Sequence, residues 1–242
     1  MLRPNEVNKR GFLGERLRTR LGCPVCLEPS AIQTNDNLSI CLCCSHVWQS
    51  DLSVTMLYDG FYAHQYDFRP VKQMSNLRWD FIQAHLGLSA GSNILDVGYG
   101  NGAFLKCAKL AGMAIYGIDV HSEDFGIPNI TFDTHIDFDL ICFFDSLEHF
   151  PEFDAIFNLS SKAVVVSVPN RPQWFLRSPS KWRHFKPGEH LHYFSPESLE
   201  HFLGRWGFET KIAEDYPEDS IRGKLAFDGQ IYDNVYTAIF RE

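Results

Sequence analysis

Five of the seven cysteines, Cys23, Cys26, Cys41, Cys43 and Cys44, fall within 22 residues, while Cys107 and Cys142 stand apart. Cys23 and Cys26 are spaced by two residues, Cys41 and Cys44 likewise, and fourteen residues separate the two pairs. Each such knuckle turns two thiolates to one side, and two knuckles close a tetrahedron around zinc. The ligand set expected is Cys23, Cys26, Cys41 and Cys44. Cys43 is then spare, because an adjacent or Cys-x-Cys pair bites at a poorer angle; His46 is a possible substitute, and reduced cysteines without metal are the alternative. Four sulfurs leave no open position, so Zn2+ here would be structural. An odd cysteine count in a chain without a secretion signal argues against a disulfide framework.

The second chemically suggestive stretch is NILDVGYGNGAF, Asn93 to Phe104. Gly98, Gly100 and Ala103 satisfy a dinucleotide fingerprint, while Asp96, Gly98, Gly100 and Gly102 spell the loop of a methyl-donor site. A dinucleotide would bring its pyrophosphate to the amides after the first strand, beside the negative charge of Asp96. S-adenosylmethionine brings an ammonium and a sulfonium, which a carboxylate attracts. Asp96 therefore favours the methyl donor. Asp119, 23 positions further on, can hold a ribose in either cofactor.

Methyl transfer to an oxygen or nitrogen needs a group to take up a proton, and histidine is suited to this near neutral pH. His149 lies in DSLEH, and His190 and His192 alternate in GEHLHYF, where an extended chain would turn both to one side. Glu148 and Glu189 beside them could orient the rings or bind a divalent ion. Loop anchoring is the non-catalytic alternative for each histidine. Arg171, Arg177, Lys181, Arg183 and Lys186, with Trp174, Phe175, Trp182 and Phe185 interspersed, suit an acidic or sugar-bearing acceptor, or else form a lid that packs its aromatics inward.

Short apolar runs must position these loops. Ile94–Val97, Ala114–Val120, Asp139–Phe144 and Ala163–Val168 lack strict alternation, as strands buried on both faces do, and predict a mostly parallel sheet. Ala103–Ala111 and Glu152–Ser160 are expected as crossover helices. Ser195, Pro196 and Glu197 open another helix, which Gly207 ends. Phe208–Glu214 and Gln230–Phe240 read as a closing antiparallel pair. Met74, Leu77 and Phe81 recur at helical spacing after an aromatic stretch (Tyr58, Phe61, Tyr62, Tyr66, Phe68).

The chain of 242 residues, 45% hydrophobic and 21% charged, can bury one α/β core plus an accessory unit. The division expected is a basic arm over 1–22, a zinc-ribbon-like module over 23–57, a helical connector over 58–91 and a catalytic domain over 92–242. A net charge of -8 disfavours a surface built wholly for phosphate backbones. The arm (Arg3, Lys9, Arg10, Arg16, Arg18, Arg20) is basic but lacks a stacking platform for nucleic acid. No apolar run approaches the roughly 20 residues that span a bilayer, and a cytoplasmic location is expected.

The stretches ILDVGYGNG, IYGIDV, FDLICFFDSLEHF, VVVSVPN and WRHFKPGEHLHYFSPESLEHFLGRWGF resemble the class I S-adenosylmethionine-dependent methyltransferases, most closely the bacterial group that modifies small molecules and glycans. Several members carry a CxxC and CxxC ribbon followed by a segment like LYDGFYAHQYDF, so the resemblance reaches back to about Cys23. It implies a Rossmann-like, mostly parallel seven-stranded sheet with an antiparallel C-terminal pair. It also implies that Asp96, Gly98, Gly100 and Gly102 hold the amino-acid end of the donor and Asp119 its ribose; Tyr99 and Val120 are expected beside the cofactor, and the Tyr99 ring must either cover it or turn away. Phe144, Asp145 and Leu147 would lie where donor and acceptor meet.

Two departures stand out. Tyr99 replaces the small or sulfur residue common within the loop, and only 18 residues, His121 to Phe138, precede Asp139. The second helix and third strand must therefore be trimmed, which leaves Asp133 as an insecurely placed adenine contact. The acceptor implied is a small molecule such as a sugar or nucleotide sugar. A nucleic-acid methyltransferase using ribbon and arm for docking, and a non-catalytic ribbon protein on an inert fold, are the competing readings.

Overall fold

A computed structural model describes residues 22–53, 71–120, 125–215 and 235–242. The basic arm before Gly22, the aromatic stretch Tyr58 to Phe68 and the first residues of the expected last strand lie outside the described residues.

The first strands, β1 (Ala31–Gln33), β2 (Leu38–Cys41) and β3 (Val47–Gln49), form an antiparallel meander that carries the cysteines. Helix α1 (Val71–Leu86) leads to β4 (Asn93–Val97), α2 (Ala103–Leu110) and β5 (Ala114–Ile118). Then come β6 (Asp137–Phe138), β7 (Leu140–Phe144), β8 (Ser160–Ser161), β9 (Ala163–Pro169) and β10 (His192–Tyr193). Helix α3 (Pro196–Trp206), β11 (Thr210–Asp215) and β12 (Val235–Arg241) close the chain.

The main sheet runs β11-β12-β9-β7-β4-β5. Pairing is parallel from β9 through β7 and β4 to β5, and antiparallel where β12 joins β9 and β11. The fold is the Rossmann-like one expected, with six strands rather than seven among the described residues. The missing position is marked by a single parallel bridge between Gly117 and Asn129. Among the described residues of the short connection after β5, this is the one rung on the main sheet.

The continuous apolar runs sort their side chains by strand alternation. Leu95, Val97, Ile141, Phe143, Val164 and Val166 face one layer, with Leu199, Phe202 and Leu203 of α3. Ile94, Leu140, Cys142, Phe144 and Val165 face the other, with Phe104, Leu105 and Ala108 of α2 and Ile82 of α1. Helix α3 starts as its sequence predicts. The Ser195 hydroxyl accepts from the Ser198 N–H, the Ser198 hydroxyl accepts from the Ser195 N–H, and Gly207 ends the helix at φ 100°.

The expected helix over 152–160 is not α-helical. Its backbone bonds run from Ile156 to Phe153 and from Asn158 to Ala155, the tighter 3-10 pattern, before β8 begins. Nucleating an α-helix fixes several residues for one bond. This short stretch gains more by turning Phe153, Ile156 and Phe157 under α3, where Phe153 and Phe202 lie 4.7 Å apart.

The ribbon does not stand apart from the core. Its sheet is completed by β10, so the order is β1-β2-β3-β10, and Cys23, Val25, Cys44 and Trp48 share a cluster with the main sheet. Arg205 of α3 reaches back to donate to the Pro24 and Val25 carbonyls at 2.9 and 2.7 Å, with its guanidinium 4.6 Å from the Phe157 ring centroid. Hydrogen bonds from a charged donor contribute about 1.5–3 kcal/mol each. Arg205→Ala is therefore expected to lower stability by about 2 kcal/mol in urea unfolding followed by tryptophan fluorescence. Arg205→Lys should recover part of the loss, because both bonds come from the single Nη1 and an ammonium can also donate to two carbonyls, while the planar group over Phe157 is forfeited. A loss below about 0.5 kcal/mol in the alanine variant would refute this anchor.

Candidate functional site

The candidate residues gather where β4, β5 and β7 end, the edge at which open α/β sheets bind ligands. After β4 the chain makes three left-handed residues, Gly98, Gly100 and Gly102, with φ of 83°, 54° and 72°. A Cβ on Gly98 would lie 2.5 Å from the Ser146 Cβ, and one on Gly102 would lie 2.7 Å from Ile127 Cγ1. Those two glycines let neighbouring loops close in. Around Gly100 a Cβ would meet nothing within 4 Å, so this turn faces open space. The Gly100 N–H donates to Asp119 Oδ2 at 2.9 Å, which ties the loop to the end of β5.

Asp96 is 3% exposed, and its Oδ1 has no hydrogen-bond partner among the described residues. Burial raises its carboxyl from the ordinary 3.8 to about 7, against the opposing pull of Arg78 and with a further push from Asp119. A buried carboxylate oxygen without a partner beside an open glycine turn fits a cationic group such as an amino-acid ammonium. The Tyr99 ring is buried, and a Cβ on Gly117 would overlap Tyr99 Cδ1. Val120 is 81% exposed past the end of β5, and Asp133 is exposed in the turn beyond the Gly117–Asn129 bridge.

After β7, Asp145 has φ 54°, an uncommon conformation for a residue with a side chain. Its carboxylate meets Arg78 Nη2 at 3.0 Å, and the same guanidinium lies 4.3 Å from the Phe144 ring centroid. Phe144 packs on Phe104 and Leu147 is buried, so both shape the wall from inside. The Ser146 hydroxyl donates to the Val97 carbonyl at 2.6 Å and sets this turn against Gly98.

The turn then presents Glu148 and His149. His149 Nδ1 lies 2.8 Å from the Glu189 carbonyl, and a carbonyl only accepts, so Nδ1 carries the hydrogen and Nε2 holds the lone pair. That Nε2 is 3.8 Å from Glu148 Oε1. His190 meets His149 edge to face, with ring centroids 4.8 Å apart. Burial lowers the pKa of both rings, that of His190 to about 2, so both are neutral near pH 7.

His192 does not join them. It is 1% exposed, its Nε2 donates to the Phe150 carbonyl at 3.0 Å, and its Nδ1 lies 3.0 Å from His46 Nε2. The alternation of His190 and His192 breaks because only His192 belongs to β10.

The cysteine cluster is assembled as its spacing predicts. Cys23 and Cys44 sulfurs are 3.6 Å apart, Cys26 and Cys41 sulfurs 3.5 Å, and all four lie within 4.8 Å of one another. Sulfurs about 2.3 Å from a shared zinc lie about 3.8 Å apart. The hydrogen bond from Cys44 lowers the Cys23 pKa and raises that of Cys44 in turn. Cys43 points outward and is exposed.

In the basic segment, Phe175 and Trp182 turn inward onto Leu38, Val47 and Tyr193 of the ribbon sheet, while Trp174 is exposed. Arg78 and Ser146 are site or framework residues that motif reading passes over; His46, a possible substitute zinc ligand by sequence, lies outside the four-cysteine cluster and meets His192. Arg78 had a signal: it shares a helix face with the buried Ser75 and Ile82, where an arginine is unusual.

Residues 62–211 match the methyltransferase domain family, and the chain belongs to it. Its relatives include the ubiquinone biosynthesis O-methyltransferase of Chromobacterium violaceum, 28% identical over 117 residues that cover 40% of this chain and 50% of that protein. The enzyme of the same name from Dechloromonas aromatica is 29% identical over 120 residues, covering 46% and 50%. The chain spans about half the length of these curated relatives. Among solved structures, a SAM-dependent methyltransferase from Archaeoglobus fulgidus is similar at TM-score 0.52 and 16% identity, covering 75% of this chain and 99% of that one. Geranyl diphosphate C-methyltransferase from Streptomyces coelicolor is similar at 0.51 and 15%, covering 70% and 79%. These likenesses show the fold. Among the described residues no helix is long and apolar enough to cross a membrane.

Asp96 makes a pH-dependent prediction for the protein alone. The unfolded chain loses this proton near 3.8 and the folded state near 7, so between them the folded state holds one more proton. Its contribution to stability is full below about pH 4 and is lost as pH rises through about 7. Asp96→Asn should remove that decline, read as a flatter dependence of the thermal midpoint on pH between about 4 and 8. An unchanged slope would refute the raised pKa.

Proposed function

We propose that this chain is an S-adenosylmethionine-dependent methyltransferase that methylates an oxygen or nitrogen, with a hydroxyl favoured, on a small-molecule acceptor. The observation that carries the reading is Asp96, whose buried, unpartnered oxygen beside the open turn at Gly100 suits the donor's ammonium. Family membership supports it, and the names of the relatives favour oxygen as the atom methylated.

Bound there, S-adenosylmethionine supplies a methyl group already activated by its sulfonium charge. The protein's task is to align the acceptor, exclude water and take a proton. Asp119, held by the Gly100 N–H, would bind the ribose hydroxyls. Arg78 holds Asp145 in its left-handed turn and so places the next residues against the glycine loop. The acceptor's proton is handled at Glu148, His149 and His190, where His149 Nε2 offers the lone pair. His192 positions this turn through the Phe150 carbonyl. The four cysteines would hold a structural zinc, and chelation would loosen β3 and with it β10.

A sugar or nucleotide-sugar acceptor suits Arg177, Lys181 and Arg183 around the exposed Trp174. Nucleic-acid methylation is the second reading, and it rests on the basic arm.

Calorimetry should show S-adenosylmethionine binding to the wild-type protein, with affinity reduced at least tenfold in Asp119→Ala and in Asp96→Asn. No binding to the wild type overturns the reading. Labelled donor offered with phenolic acceptors, sugar nucleotides and RNA side by side should mark a small molecule; label in RNA alone would favour the second reading. Elemental analysis of protein purified without chelators should return about one equivalent of zinc.

A further inference from the structure

Glu148, His149 and His190 each offer a ligand atom, and these atoms lie within 4.8 Å of one another. They come from two separate pieces of chain that the fold holds together. Glu148 and His149 sit on the 3-10 turn after β7, and His190 leads into β10. The pieces are stitched by the Leu191 N–H to the Glu148 carbonyl at 2.9 Å, by His149 Nδ1–H to the Glu189 carbonyl, and by Gln49 Nε2 to the His190 carbonyl at 2.8 Å. The backbone therefore fixes the spacing of these side chains.

Three further observations point to a cation. A ligating histidine commonly donates its other ring N–H to a backbone carbonyl, and His149 does this. His190 is 5% exposed, and its Nδ1 has no hydrogen-bond partner among the described residues. Glu148 is 1% exposed, and its Oε1 lies 3.8 Å from His149 Nε2, so a buried carboxylate and two imidazoles face one spot. A dication is the group that suits this ligand set.

We infer that Glu148, His149 and His190 bind a divalent transition-metal ion at the end of β7, beside the donor loop. Two imidazoles and one carboxylate suit Mn2+, Fe2+, Co2+ or Zn2+ better than Mg2+ or Ca2+, which prefer all-oxygen shells. Ligand atoms about 2.1 Å from one ion lie at most about 4.2 Å apart, so side-chain shifts of under about 1 Å close the site. Three protein ligands leave positions open, in contrast to the four sulfurs of the ribbon.

The inference rests on the methyltransferase reading for its consequence: the acceptor is a hydroxyl with a second oxygen beside it, able to take two open positions. As the acceptor O–CH3 bond forms, the C–S bond of the donor breaks with its electron pair left on sulfur. With the ion in place the hydroxyl proton passes to solvent water and not to His149, whose Nε2 then faces the ion; His149 takes the proton only in the metal-free protein.

The test uses the full chain with its ribbon zinc in place and Mn2+ as probe, because Mn2+ competes poorly for thiolates. Free Mn2+ counted by electron paramagnetic resonance should fall by about one equivalent with micromolar affinity. Glu148→Gln and His190→Ala should each weaken binding at least tenfold. Because either variant could fail to fold, nitrogen couplings from two histidines on the bound Mn2+ of the wild type are the second readout. Absence of binding below millimolar Mn2+, equal binding by folded variants, or bound Mn2+ without nitrogen coupling would each overturn the site. Failure of S-adenosylmethionine to bind would instead overturn the methyltransferase reading and leave the Mn2+ titration standing. Methyl transfer to vicinal-dioxygen acceptors should rise at least tenfold with Mn2+, and a rate independent of the metal would overturn the stated consequence.

Discussion

The Phe150 carbonyl can only accept a hydrogen bond, and this fixes the state of a buried imidazole pair that joins ribbon to sheet. His192 Nε2 must donate to it, so in the neutral ring His192 Nδ1 is the acceptor for His46 Nε2–H at 3.0 Å, and His46 Nδ1 has no hydrogen-bond partner among the described residues. Burial holds His46 far below its usual range, so that ring is neutral. His46 stacks on Trp48 at an interplanar angle of 9°, and His192 packs on Phe153.

This clamp places the acceptor-side turn. Phe150 ends the turn that presents Glu148 and His149, and His192 begins the strand that pairs with β3. His46 lies two residues beyond Cys44, so the knuckle that gathers the sulfurs also aims the ring. Gln49 adds a second tie through the His190 carbonyl and the Tyr193 hydroxyl. The ribbon is thus a splint for the turn after β7. On the opposite side of that turn, Ser146 and Arg78 do the same work from β4 and α1. A loop that carries two left-handed or tightly turned segments needs such support, because conformations like that of Asp145 cost on the order of 1–3 kcal/mol.

Much of this was legible from residue types alone. The four parallel strands read correctly because a strand buried on both faces has no polar alternation to disguise it, and α3 read correctly because Ser195, Pro196 and Gly207 carry its ends locally. The cysteine quartet read correctly because knuckle spacing is itself a local geometry. The failures all involve partners distant in sequence. Residues 152–160 have helix-compatible side chains, yet α3 claims their aromatic rings. His190 and His192 look equivalent until β3 pairs with only one of them. Arg78 sits 67 positions from Asp145, and no window of sequence relates the two.

Tyr99 shows how such departures come as a set. In a loop where a small residue is usual, a tyrosine ring needs volume, and here the volume comes from beneath β5. Gly117 supplies it by having no Cβ, since one would lie 2.3 Å from Tyr99 Cδ1 and 3.0 Å from Ile127 Cγ2. The neighbouring layer supplies the rest. Among the described residues the connection after β5 adds the Gly117–Asn129 bridge to the sheet, held by Gly117 N–H to Pro128 O and Ile130 N–H to Gly117 O, where a full third strand would bring more side chains. Tyr99, Gly117, Ile127 and the shortened connection are therefore one packing solution. A longer connection or a side chain at 117 would drive the ring toward the glycine turn. With both trimmed, the ring closes the floor of the loop and leaves the face at Gly100 open.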